Sequence, residues 1–195
     1  MTVTLNGIIV PVQPGVKAVA NAVETPLSVA QYRIAPAVGA AAAIHAAITL
    51  PTSGPLDVQT GITNPDFPRV LAITGNQILI AGNVVITGTD AAGGVITDTI
   101  ACNGVAQVVG VKAFATVTNI NVPQRHAASD TVTVDTLNIF GVPSIVYLAS
   151  YLLLHNFNGT NDAGSFVAGA TLAASQYTIA GTPNGTKILD LVYLI

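Results

Sequence analysis

Between Arg69 and Thr136 the sequence is a succession of short β-branched runs cut by glycine and asparagine, and that rhythm leaves little choice of fold. The runs are "RVLAIT" (69–74), "GNVVITGTD" (82–90), "VITDTIAC" (95–102), "KAFATVTNINV" (112–122) and "DTVTVDT" (130–136). Strands of this length, recurring every ~8–12 residues between turn signals, predict an all-β fold with a β-sandwich or barrel-like body. Side chains alternate across a strand. Val84 and Ile86 therefore share one face of 84–89, with Val85, Thr87 and Thr89 on the other. "DAAGG" (90–94) is turn chemistry, because glycine takes positive φ without a steric penalty. It predicts a hairpin joining 84–89 to 95–100. Asn103-Gly104 is the strongest short turn signal in the chain. The run 112–122 is read as one strand, with Phe114, Thr116, Thr118 and Ile120 against Ala115 and Val117. In 130–136, Val132 and Val134 point inward and the threonines outward.

The flanks read differently. Residues 1–36 are punctuated by Pro11, Pro14, Pro26 and Pro36. Each proline removes a backbone donor and pushes its predecessor towards extended conformations. This stretch is expected to be an extended N-terminal arm, with the body at 37–195. The body divides, on this reading, into a core sandwich at 37–142 and C-terminal strands at 143–195 that complete it. In residues 40–50 the alanines favour a helix, while the closing "AITL" and Pro51 favour a strand leading into a turn; the strand is the preferred reading. "SIVYLASYLLLHNF" (144–157) is one long buried strand or a bent pair. "KILDLVYLI" (187–195) puts Leu189, Leu191, Tyr193 and Ile195 on one face, and so apolar an end must be tied into a sheet.

Charge is scarce. Asp, Glu, Lys and Arg make up 8% of the chain, where about 25% is usual. A surface this poor in charge is expected to be covered by other subunits, on the pattern of obligate interfaces. The net charge is −3, and no basic patch is present, so direct nucleic-acid binding is not expected. The charge-free stretches 34–56 and 136–161 are interrupted by Pro and Gly, and the longest apolar run within them is about half of the ~20 residues a span needs. No membrane partner is expected. The N-terminus has no basic segment followed by a long apolar one, so the expected site of assembly is a cytoplasm.

Little in the chain suggests chemistry. Cys102 lies in an apolar strand, where an inert thiol is the norm. His45, His126 and His155 share no metal-ligand spacing. "GTDAAGG" and "GTNDAG" have the composition of calcium loops but lack their carboxylates. No catalytic, cofactor-binding or metal residues are expected, and the chain reads as a non-enzyme.

One cation has a conspicuous setting. In "NPDFPRV" (64–70), Pro65 and Pro68 fix the chain direction ahead of the first firm strand. Asp66 and Arg69 stand three apart across that turn, close enough to pair, and the arginine fork can also hold backbone carbonyls. Pro65, Asp66, Pro68 and Arg69, with Asn103 and Gly104, are the predicted structural turn residues.

The same stretch begins a wider pattern. Residues 63–123 combine N-P-D-x-P-R, a "GNVxxxGTDxxG" hairpin, a "TIxxNG" turn and "KAFxTVTxI" ahead of a proline. This segment resembles a recurrent module of tailed-bacteriophage virion structural proteins, and "LDLVYLI" resembles the apolar ends of such proteins. Residues 1–62 are not covered. The resemblance implies a structural component of the virion without catalysis. The role expected is a capsid decoration, or cement, protein on the phage head surface, with the major capsid protein as partner and a homo-oligomer, a trimer by preference. The alternatives are a tail, neck or baseplate component, and a surface carbohydrate-binding module.

Overall fold

The computed structural model describes residues 27–195. Of residues 1–26 it describes only the backbone of four short strands, β1 Thr2–Leu5 with β2 Ile8–Pro11, and β3 Lys17–Ala20 with β4 Val23–Pro26. The rest of the stretch expected to form an arm lies outside the described residues. Its last part does not, because β5 (Val29–Ile34) is hydrogen-bonded into the body.

The body is all-β, with curled sheets forming a half-barrel. Its strands are β6 (His45–Thr49), β7 (Leu56–Val58), β8 (Arg69–Gly75), β9 (Asn83–Thr89), β10 (Val95–Ala101), β11 (Val108–Phe114), β12 (Thr116–Val122) and β13 (Thr131–Gly141). These are followed by β14 (Leu152–Phe157), β15 (Thr160–Asn161), β16 (Ser165–Val167), β17 (Gln176–Thr178) and β18 (Leu189–Leu194). One sheet has the order β10-β9-β12-β7. A second runs β11-β8-β13-β17-β16, with β6 also on β13. A third runs β15-β14-β18-β5.

Two apolar clusters fill the space between these sheets. The first gathers Leu71, Ile73, Val84, Ile86, Phe114, Ile120, Val132 and Val134, among others. The second gathers Ile34, Phe140, Val146, Phe157, Tyr177, Leu189, Leu191 and Tyr193. The long strand β13 serves both, its first half facing one cluster and Phe140 the other. Of the C-terminal strands, β14 and β18 line a second core with β5, while β17 and β16 extend the sheet of β8 and β13.

The hairpin expected at 84–100 is present, with Thr89 opposite Val95 and Gly93 at φ +84°. The run 112–122 differs from the single strand expected. The chain leaves one sheet after Phe114 and enters another at Thr116, and a register shift between Val117 and Asn119 interrupts β12. A crossing between sheets and a bulge each reset the alternation. Phe114, Val117, Ile120 and Val122 are consequently buried while Thr118 is exposed. Residues 144–151 also depart from expectation. They run irregularly into a short 3-10 turn, and β14 starts only at Leu152. Val146 is buried, its N–H donating to Ser175 Oγ, whereas Tyr147, Leu148 and Leu153 are exposed. The strand β18 lies between β14 and β5, so both its edges are paired, and side chains on both its faces are buried. Asp190 and Val192 are buried along with Leu189, Leu191 and Tyr193, and Ile195 is exposed.

Candidate functional site: a buried arginine clasp

Arg69 opens β8 and is the largest fully buried side chain, with 1% of its surface exposed. A buried guanidinium needs all of its donors matched. Its Nε donates to Asp66 Oδ1 at 2.6 Å and its Nη2 to Asp66 Oδ2 at 2.8 Å, a forked pair. Nη2 also donates to the Ala37 carbonyl at 2.7 Å, and Nη1 to the Leu137 carbonyl at 3.1 Å. The Leu137 carbonyl sits where β13 slips register against β8, between Thr136 and Phe140. Arg69 thus supplies a donor where the ladder lapses.

The turn holds this geometry from the other side. Asp66 also accepts the N–H of Phe67 at 3.0 Å and of Ala37 at 2.8 Å. The Pro68 carbonyl accepts the N–H of Gly141. Partial burial would raise the Asp66 pKa, but the Arg69 fork and the Ala37 amide hold it below the ordinary carboxylate value.

Residues 37–42 lie along the slipped part of β13 and are pinned residue by residue. Gly39 N–H donates to Asn138 Oδ1 at 2.7 Å, Ala40 N–H to Thr136 Oγ1 at 3.0 Å, and Ala42 N–H to Asp135 Oδ1 at 2.8 Å. Thr136 N–H returns a bond to the Ala40 carbonyl. A Cβ on Gly39 would stand 2.7 Å from the Thr136 carbonyl oxygen, so only glycine fits. Ala42 takes the left-handed conformation, φ +55°, uncommon for a side-chain-bearing residue. Beside this segment is a cleft of about 190 Å³, lined by Val38, Ala43, Ile44, Asn64, Pro65 and Asp66 among others.

Asn103 and Gly104 sit elsewhere, in the turn by which the chain passes from β10 to β11 in another sheet. Ala106 N–H donates to the Asn103 carbonyl, and Gly104 N–H to the Ile80 carbonyl. Gly104 has φ +59°, and a Cβ there would meet the Ile78 carbonyl oxygen at 2.5 Å. Pro65, Asp66, Pro68 and Arg69 form one constellation, and Asn103 and Gly104 a separate one.

Four buried aspartates gather donors from the chain as the more exposed Asp66 does. Asp98 takes the N–H groups of Val111 (2.7 Å) and Lys112 (3.1 Å), where β11 slips against β8. Asp130 takes those of His126 and Ala127. Asp135 takes four donors, from Ala42, Thr133, Thr74 and Gln107. Burial would raise its pKa, but these donors hold it below the ordinary value. Asp162 accepts the Tyr177 hydroxyl at 2.7 Å and the N–H groups of Gly164, Ala180 and Gly181, and it too is held low against the effect of burial. Aspartate is disfavoured inside strands, so Asp98 and Asp135 amid β-branched neighbours carried a signal for structural carboxylates that the alternation pattern hid.

Among the described residues, the arrangement resembling a catalytic group is His155, Tyr177 and Asp162, with Tyr177 Oη 3.3 Å from His155 Nδ1. Burial, then the neighbouring Asp162 carboxylate, push the Tyr177 phenol up, away from the ionised form a nucleophile needs. Its role here is to latch the 162–164 loop to 177–181. The Cys102 thiol is half-buried and pushed up by that burial. His45 ring nitrogens face the carbonyls of Ala46 and Thr60. Among the described residues, no three His, Cys, Asp or Glu side chains come together as a metal site. Comparison of the chain with protein-family models, curated proteins and solved structures finds no match.

Proposed function

We propose that this protein is a structural component of a tailed-bacteriophage virion, a cement protein that binds the outer head shell beside the major capsid protein. The observation that carries the reading is where the charge goes. The chain has eight aspartates, and Asp66, Asp98, Asp130, Asp135 and Asp162 are spent on its own backbone and side-chain donors. The surface is left to threonine, asparagine and exposed apolar side chains such as Ile78 (78% exposed), Val111 and Tyr147. Such a surface suits burial against large neutral partners in many symmetric copies, where ~25 cal/mol per Å² of apolar area and avidity resist the pressure of packaged DNA. The rigid clasp at Arg69 suits a part that bears load and turns nothing over. Assembly on the head within the host cytoplasm follows from the same reading. The test is to heat gene-deleted heads, or move them to low salt, and assay DNA release. Leakage reversed by adding the purified protein supports a cement role. Intact heads on particles that lack tails would instead assign it to the tail, neck or baseplate.

A further inference from the structure

The strand β5 is an open sheet edge whose outward groups match those of a second copy of the same strand. Ser28 and Ile195 exchange both main-chain hydrogen bonds, each N–H donating to the other's carbonyl at 2.9 Å. In an antiparallel ladder such pairs alternate with pairs whose N–H and C=O point away. Counting along the register, Ala30, Tyr32 and Ile34 face β18, opposite Tyr193, Leu191 and Leu189. The N–H and C=O groups of Val29, Gln31 and Arg33 therefore point outward. Among the described residues, no strand pairs with this side of β5.

The edges of β7, β10, β11, β15 and β16 are managed. The strands β7, β15 and β16 have two or three residues each. On β11, Asp98 occupies the N–H groups of Val111 and Lys112, and Gln176 Nε2 occupies the Val111 carbonyl. The strand β10 packs against β11, and Lys112 Nζ caps its Thr97 carbonyl. Short strands, bulges and side-chain caps are the usual devices against edge-to-edge pairing. The edge of β5 has six regular residues, one of them the charged Arg33, and among the described residues no strand or side-chain cap covers it.

We propose that β5 pairs antiparallel with β5 of a second copy about a two-fold axis at Gln31, joining two four-stranded sheets into one. The outward set Val29, Gln31 and Arg33 is symmetric about Gln31. Gln31 then meets its own counterpart, and Arg33 meets Val29 of the other copy, so each pair exchanges both main-chain bonds and no like charges face each other. Arg33 keeps Asp190 as its neighbour on β18. On the opposite face, Ala30 and Tyr32 pack against the second core, and the axis sets Tyr32 beside Ala30 of the partner copy, large against small. A closed two-fold contact of this kind is self-complementary and does not propagate. The inference goes beyond the proposed function and stands independently of it.

The experiment uses the full chain. Sedimentation should give a dimer. In a Cys102→Ser background, Gln31→Cys should form an intermolecular disulfide, because hydrogen-bonded partners have Cα atoms about 5.5 Å apart, within disulfide range. Arg33→Cys should not, because its counterpart lies on the order of 13 Å along the strand. Val29→Pro removes an outward N–H only and is tolerated at an edge. It should give a folded monomer with an unchanged far-UV spectrum. A monomeric native chain, equal cross-linking at positions 31 and 33, or an oligomer indifferent to Val29→Pro would overturn the proposal.

Discussion

The guanidinium of Arg69 lies over the ring of Phe140, 4.6 Å from its centroid, while its edge is filled by Asp66 and two carbonyls. One side chain thus meets the entry turn, residue 37, and both sides of the slip in β13. Arg69→Ala would leave the Asp66 carboxylate and the Leu137 and Ala37 carbonyls without their donor. Loss of one partner from a buried pair costs about 3–5 kcal/mol, and the partial exposure of Asp66 places the expected loss near ~3. Arg69→Lys keeps the charge but not the fork and should fall between. Urea unfolding of the three proteins measures this, and an Arg69→Ala midpoint equal to that of the native chain would contradict the clasp.

Gly39→Ala tests how residues 37–42 are held. The added methyl cannot fit against the Thr136 carbonyl, so the segment must lift and surrender its bonds to Asn138 and Thr136. A loss of about 2 kcal/mol is expected, as for other strained or overpacked sites, with faster amide exchange at Gly39, Ala40 and Ala42. Slow exchange there in the variant would contradict it.

Acid should loosen the fold through the structural carboxylates. Asp66, Asp135 and Asp162 all have lowered folded-state values. A depressed carboxylate contributes stability that is fully present above its unfolded value, about pH 4, and is lost as pH falls through the lower folded value. Stability should be flat from neutral pH to about 5 and decline below about 4. Asp135→Asn should be less stable at neutral pH and show a shallower acid decline. An equally steep decline in that variant would remove Asp135 from the account.

Asp98 guards an edge as well as a bulge. Asp98→Ala frees the N–H groups of Val111 and Lys112 beside the exposed side chains of Val109 and Val111. A loss of about 1–3 kcal/mol is expected from the unmatched donors, accompanied by concentration-dependent aggregation seen in light scattering. Asp98→Asn retains a carbonyl acceptor and should aggregate less. Identical scattering from the two variants would speak against edge protection.

What the sequence could reveal was set by range. Local alternation was enough for β9, β10 and the first half of β13, and the three-residue spacing was enough for Asp66 with Arg69. The sheet crossing at Ala115 and the slips at Thr118 and Leu137 were hidden, because a bulge looks in sequence like one more strand residue. The same limit hid the partners of Arg69 beyond Asp66, since Ala37 and Leu137 are brought there only by the packing of distant strands. The exposure of Tyr147 and Leu148 was missed because apolar composition alone does not say which neighbour covers a residue.

A cement role requires attachment to the head. The most direct measurement is a density map of mature heads from phage with and without this gene. Density on the outer shell that is lost on deletion, and restored by the purified protein, is the result expected. Identical shells, with the missing density in the tail, neck or baseplate, would contradict it.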